Sequence, residues 1–350
     1  MKYWSQPLTT DTSYVFGDSK NGIQFPSITI CSQDYSAQNQ GMKDCQSGNH
    51  DFIGSFVSCM KAKGDVPINS FLDSFRLDIK KLVAMVSIWT GSEHIDLLDG
   101  MDDQAWSRTF HYGLGLCYTF DLSKIEKFKH ISYKERMRPG LAFVMAENNQ
   151  WQEVYLMVHT RNDFPDALHL NGLVSVMFFT TKHEIHKIEL KKKISKREPT
   201  RKVPCVQYEY NTCQNIEDNQ LVLDKFHCRL PMLYSGQHLD NLIDKEVSNC
   251  SHDVTIEVLD LILKKETKRK QTQSCKMTRF TSTYTVSKDG VYNATMIWVA
   301  FANPEVEHHN TYVSYNLISL LGEIGGILGL TLGASTLTLL ELFFQHLRYY

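Results

Sequence analysis

Five residues near the C-terminus have the types and the spacing to handle ions. Placed at 100° per residue on a helix, Glu323, Thr331, Ser335, Thr338 and Glu341 fall within an arc of about 120°. Gly322, Gly325, Gly326, Gly329 and Gly333 fall on another arc, roughly opposite, with Leu328, Leu332 and Leu339 between the two. A carboxylate turned towards lipid costs on the order of 3 kcal/mol, so such a group faces a bundle interior or a water-filled path. One helix cannot enclose water, whereas several copies around an axis can. Hydroxyls would then line the wall, and acidic rings at both mouths would draw cations in. The other reading of the same segment is a glycine-rich anchor that dimerises through Gly325-xxx-Gly329-xxx-Gly333. Periodicity alone leaves both open.

The element that would carry these residues is legible from composition. Between Leu317 and Phe344 the only ionisable residues are Glu323 and Glu341, and the 17 residues Ile324 to Leu340 contain none. At 1.5 Å per residue that stretch spans about 26 Å, close to a ~30 Å hydrocarbon core. A buried helix of a water-soluble core would pay up to ~1 kcal/mol for each of its glycines, whereas membrane helices tolerate them. The segment therefore reads as transmembrane. The chain divides into a domain over 1–312, a membrane element over 313–345 and a stub over 346–350.

The 350 residues as a whole are 42% apolar and 22% charged, which excludes a disordered chain. A balance of 37 Lys+Arg against 39 Asp+Glu argues against nucleic-acid binding. A mean hydropathy of −0.29 leaves no room for several spans. Nine cysteines without a Cys-x-x-Cys suit a disulfide-braced extracellular domain, and the odd count leaves one free or paired with another chain. The sequons at Asn249 and Asn293 agree with export. Residues 1–7 carry no apolar run of a signal peptide, so either the signal lies elsewhere or the chain is a fragment.

Other chemistry is weakly supported. His183-Glu184-Ile185-His186 has His-x-x-His spacing, which does not set two rings one helical turn apart as a zincin box requires. No nucleophile–base arrangement is recognisable, and no cofactor motif, so an enzyme is not expected. The basic stretches 182–202 and 264–270 read as solvated faces or connections rather than as contacts for an acidic partner. Fourteen histidines are expected to be ordinary surface residues rather than a pH sensor. Runs at 25–31, 141–145, 154–158, 174–179 and 292–301 have strand composition, and 72–89 has helical spacing. The soluble part is therefore of mixed α+β class.

Three segments together resemble the degenerin/epithelial sodium channel family, which includes the acid-sensing ion channels. Phe25-Pro26-Ser27-Ile28-Thr29-Ile30-Cys31 is similar to the family's F-P-A-V-T-[IL]-C strand, and Gly115-Leu116-Cys117-Tyr118-Thr119-Phe120 to its G-x-C-Y-T-F motif. The run from Leu320 to Ser335, continuing to Leu342, resembles its second membrane helix.

The resemblance implies a plasma-membrane homo- or hetero-trimer that passes Na⁺ and is blocked by amiloride. It implies an extracellular domain of palm, ball, finger, thumb and knuckle regions. Gly333-Ala334-Ser335 matches the selectivity filter, where the helix is interrupted and carbonyls line the constriction. Gly322 matches the degenerin position, where a bulky residue holds the pore open, and Glu323 stands where many members have Asp. The family pattern pairs Cys31 with Cys117, Cys205 with Cys275, Cys228 with Cys250 and Cys45 with Cys59, leaving Cys213 over. Relative to the family the chain begins where the first membrane helix should end. A fragment of an ordinary subunit is expected, and the alternative is a non-conducting, single-span regulatory or truncated subunit assembling with full-length relatives.

Overall fold

The computed structural model describes residues 8–16, 23, 25–32, 79–89, 94–97, 105–111, 115–125, 140–146, 153–160, 174–179, 184–200, 204–206, 221–228, 248, 250–251, 253–258, 273–288, 294–315 and 317–348. The strands among them are β1 (Leu8–Phe16), β2 (Ser27–Ser32), β3 (Val83–Trp89), β4 (His94–Asp96), β5 (Trp106–His111), β6 (Gly115–Phe120) and β7 (Gly140–Met145). They continue with β8 (Glu153–His159), β9 (Val174–Phe179), β10 (Glu184–Arg197), β11 (Cys205–Val206), β12 (Gln273–Ser274), β13 (Lys276–Lys288) and β14 (Met296–Val313). Short helical stretches occupy 79–82, 221–226 and 253–258, and one long helix, Leu317–Arg348, closes the described chain. The mixed α+β class read from composition is the one observed.

Two sheets make the body. Strands β5-β6-β2-β8-β9 form an antiparallel five-stranded sheet, and β13-β10-β14-β7-β3-β4 with β1 form a seven-stranded one. The axis of the larger sheet is β14, 18 residues long. One edge of it is paired in parallel with β10. The other edge is shared: β7 takes Met296–Ala300, and β1 takes Glu305–Val313 from Phe16 back to Leu8. The β10 register shifts between Leu190 and Lys192, opposite the β14 segment that contains Pro304. Proline has no amide hydrogen for a ladder, and such irregularities are where strands accept it.

Aromatic rings join the layers. Trp106 and Phe120 of the small sheet lie with centroids 5.0 Å apart, and Phe143 of the large sheet meets Phe120 edge-on at 5.7 Å. Phe25, just before β2, packs 5.3 Å from Phe301 of β14. With Ile28, Ile30, Val83, Ile88, Leu141, Ile188, Leu190 and Val299 they form one core. Each fully buried side chain of this size contributes about 2 kcal/mol of apolar transfer. A buried hydroxyl cluster is satisfied: Thr29 Oγ1 lies 2.6 Å from Thr119 Oγ1 and 2.8 Å from His159 Nε2.

Two expectations are corrected. Residues 79–82 are helical, but 83–89 of the expected helix form β3, whose Val83, Val86 and Ile88 are buried; β-branched residues fit a pleated sheet better than a helix face. Most of the basic stretch 182–202 is likewise a strand rather than a solvated connection. In β10, His186, Ile188 and Leu190 are buried while Lys187 and Lys191 are exposed, a period of two that the lysines conceal. The second basic stretch, 264–270, lies outside the described residues.

Candidate ion pathway

The helix Leu317–Arg348 has 32 residues and is about 48 Å long at 1.5 Å per residue. Its start lies four residues beyond Val313, which still belongs to β14, and it runs past residue 345. Among the described residues, none in its most apolar stretch is buried. Ile318 and Leu330 are each 77% exposed, which excludes a core helix of this subunit, since a core helix hides such side chains. The helix runs unbroken through 333–335, where the resemblance implies an interruption. In one isolated helix an opened carbonyl has no donor to replace its own amide, so the closed ladder is the satisfied state.

Glu323, Thr331, Thr338 and Glu341 are all exposed on this helix. Thr331 turns its hydroxyl hydrogen inward, with Oγ1 3.0 Å from the Ile327 carbonyl and 2.9 Å from that of Leu328. Such back-bonding leaves oxygen lone pairs facing outward, the polarity a cation requires. A Cβ built at Gly322, Gly325, Gly326, Gly329 or Gly333 meets nothing within 4 Å, so the glycine face is open to a neighbouring backbone. Glu323 is engaged locally: the Tyr315 hydroxyl, in the turn before the helix, donates to its carboxylate. Sequence reasoning did not find Tyr315.

Above the helix, the end of the large sheet is polar. Tyr312 donates to Asp11 at 2.9 Å, and Thr10 and Thr311 hydroxyls lie 2.8 Å apart, so β1 is held to β14 by side chains as well as backbone. Asp11 holds the Tyr312 phenol above its ordinary range through that hydrogen bond. On the same strand Glu307 accepts from His309 and lies 3.6 Å from Lys193 Nζ. The His309 bond above all, with Lys193, keeps the Glu307 carboxyl below the usual value. Burial, followed by the charges of Lys196 and Lys192, lowers His308. Further up, His186 of the His-x-x-His run is buried, its Nδ1 2.7 Å from Tyr284 Oη.

Disulfides join Cys31 to Cys117, Cys205 to Cys275 and Cys228 to Cys250. The first ties β2 to β6 inside a small cluster with Met157. Cys205 and Cys275 close the segment between β10 and β13 at its base, where β11 and β12 pair. Cys45, Cys59, Cys213, Asn249 and Asn293 lie outside the described residues, and nothing is described of the Ala334 and Ser335 side chains.

The described residues thus make a disulfide-braced body followed by one long apolar helix whose most apolar stretch is exposed. The chain belongs to the amiloride-sensitive sodium channel family, whose model matches residues 1–344. Members of that family are ion channels, not enzymes, so the chain is a subunit of sodium or cation channel type. A proton-activated chloride channel solved by cryo-electron microscopy is similar at 7% identity and a TM-score of 0.32, over 94% of this chain and 83% of that one. A search of curated proteins gives no match.

Proposed function

We propose that this chain is one subunit of a sodium-selective, amiloride-sensitive channel of the plasma membrane, three copies or related subunits surrounding one axis, with the sheets outside the cell. The observation that carries this reading is the helix Leu317–Arg348, apolar and exposed in the single subunit, with carboxylates and hydroxyls gathered along one arc. In the assembly Thr331 and Thr338 line the water path, and Glu323 and Glu341 concentrate cations at its mouths. Gly333, Ala334 and Ser335 form the constriction that selects sodium, and the neighbouring subunits take the place of the local hydrogen bonds there. Gly322 lies at the gate. Its surroundings within the subunit are empty, so a bulky side chain there acts on a neighbouring copy. Cys45 and Cys59 form a further bridge, and Asn249 and Asn293 carry glycans.

The test is expression in oocytes, alone and behind a first membrane helix taken from a family member, with Gly322→Phe as the locked-open form. An inward sodium current blocked by amiloride is expected. Current only on co-expression with a full-length relative would favour the regulatory-subunit reading, and no current with no surface trimer would overturn the channel reading.

A further inference from the structure

The β10–β14 ladder stops short of the end of β14. Strand β10 ends with Arg197 opposite Thr311, whereas β14 runs on to Val313. Glu198 makes up the difference. Its amide donates to the Thr311 carbonyl at 2.9 Å, and its carboxylate accepts the Val313 amide at 3.0 Å. Here a side chain stands in for the strand that has ended, with a charged acceptor, which is the stronger kind of hydrogen bond. The residue before it faces the other way along the sheet. The Arg197 amide donates to the Cys275 carbonyl at 2.7 Å, and Cys205 Sγ lies 3.7 Å from the Arg197 carbonyl oxygen. Consecutive residues therefore hold two things: Arg197 the disulfide that closes the 205–275 segment, and Glu198 the strand end four residues before Leu317.

We infer that Glu198 is the positioning residue through which movement at the base of the Cys205–Cys275 segment reaches the pore helix. The inference rests on the channel reading above. The path is short: backbone from Cys275 through Arg197 to Glu198, then the Glu198 side chain to the Val313 amide. A displacement of Cys275 moves Arg197, and Glu198 carries it across the gap in the ladder to Val313, from which three residues lead into the helix. Without the carboxylate the end of β14 would lose the Val313 bond and keep, of the two Glu198 bonds, the one to Thr311, and movement of the segment would be passed on to the helix less fully. A tie of this kind acts as a coupling between two sites, ordinarily worth about fivefold or more in an equilibrium.

Two measurements on the full chain test this. In the oocyte system, single-channel open-to-closed ratios are recorded for wild type, Glu198→Gln and Glu198→Ala, each with and without Cys205→Ser/Cys275→Ser. Removing the disulfide is expected to shift the ratio about fivefold or more in wild type and in Glu198→Gln, which keeps an acceptor oxygen, and by less in Glu198→Ala. An equal shift in Glu198→Ala overturns the coupling. The second measurement, amide exchange on detergent-solubilised protein, needs neither current nor the cysteine variants. Exchange over 311–316 is expected to rise at least about fivefold in Glu198→Ala, to stay near wild type in Glu198→Gln, and to be unchanged over 296–301. No rise overturns the tie itself. Absence of current even with Gly322→Phe would instead count against the channel reading, with exchange still deciding whether the tie exists.

Discussion

Gly140 lies against the ring of Trp298: a Cβ built on it would collide with Cζ2 and stand 2.7 Å from Cε2 of the indole. The two sit diagonally on neighbouring strands, since Gly140 pairs with Ala300 and Trp298 with Ala142. No methyl fits at that separation unless the ring or the strands move. Gly140→Ala is therefore expected to destabilise the fold by about 1–3 kcal/mol through overpacking, seen as a lower melting temperature and less protein at the cell surface. Trp298→Leu, which removes the obstructing ring, should restore part of the loss in the double variant.

The disulfides should differ in their contribution to stability. Cys31–Cys117 closes 86 residues and Cys228–Cys250 closes 22, so chain entropy ranks the first higher, about 4.6 against 3.4 kcal/mol. Cys31 and Cys117 are also buried against Met157, which adds a packing loss when the bridge is removed. Thermal melts of Cys31→Ala/Cys117→Ala and Cys228→Ala/Cys250→Ala should show the larger drop for the first.

Acid should weaken the fold through His186. Burial lowers its pKa below 6.5, although the Glu184 charge opposes the shift. The unfolded chain therefore takes up the proton first as pH falls below about 6.5, and stability declines until the folded form is protonated as well. Above that window the group is neutral in both states and contributes no pH dependence. His186→Phe should remove this part of the slope in melts taken between pH 7 and pH 5, at the cost of the Tyr284 hydrogen bond.

On the proposed reading, which puts Glu323 at the outer mouth, charge and position there are separable. Glu323→Gln should lower single-channel sodium conductance at low ionic strength, by about twofold, with the difference shrinking in concentrated salt as screening takes over. Tyr315→Phe keeps the carboxylate and removes only the hydroxyl that donates to it, so conductance should hold while opening and closing rates change. Equal conductance losses in both variants would show that the two residues act as one unit.

What could be read from the sequence followed burial. The run 174–179, apolar and β-rich apart from Ser175, has the bounds of β9, and the C-terminal helix announced itself by lacking charge. Strand β1 gave no signal, since its residues 8–15 are exposed and its order comes from pairing with β14 nearly a whole chain away. For the same reason β14 was recognised only as far as Phe301: beyond it, Asn303-Pro304-Glu305 and the histidines have no apolar alternation, and the strand continues because β10 and β1 flank it. Glu198 and Tyr315 were missed because neither belongs to a motif. Each works by reaching a partner that only the folded chain brings near.

The pairing of Leu8 with Val313 also constrains biogenesis. A ribosome releases the first strand of the large sheet long before its central strand exists. Throughout synthesis β1 must wait, with unsatisfied edges, for the last strand before the membrane helix. Non-local closure of this kind is slow and leaves aggregation-prone intermediates. Maturation should therefore depend on chaperones until β14 has been made and has paired with β1, and lesions in either strand should produce the same retained, immature species.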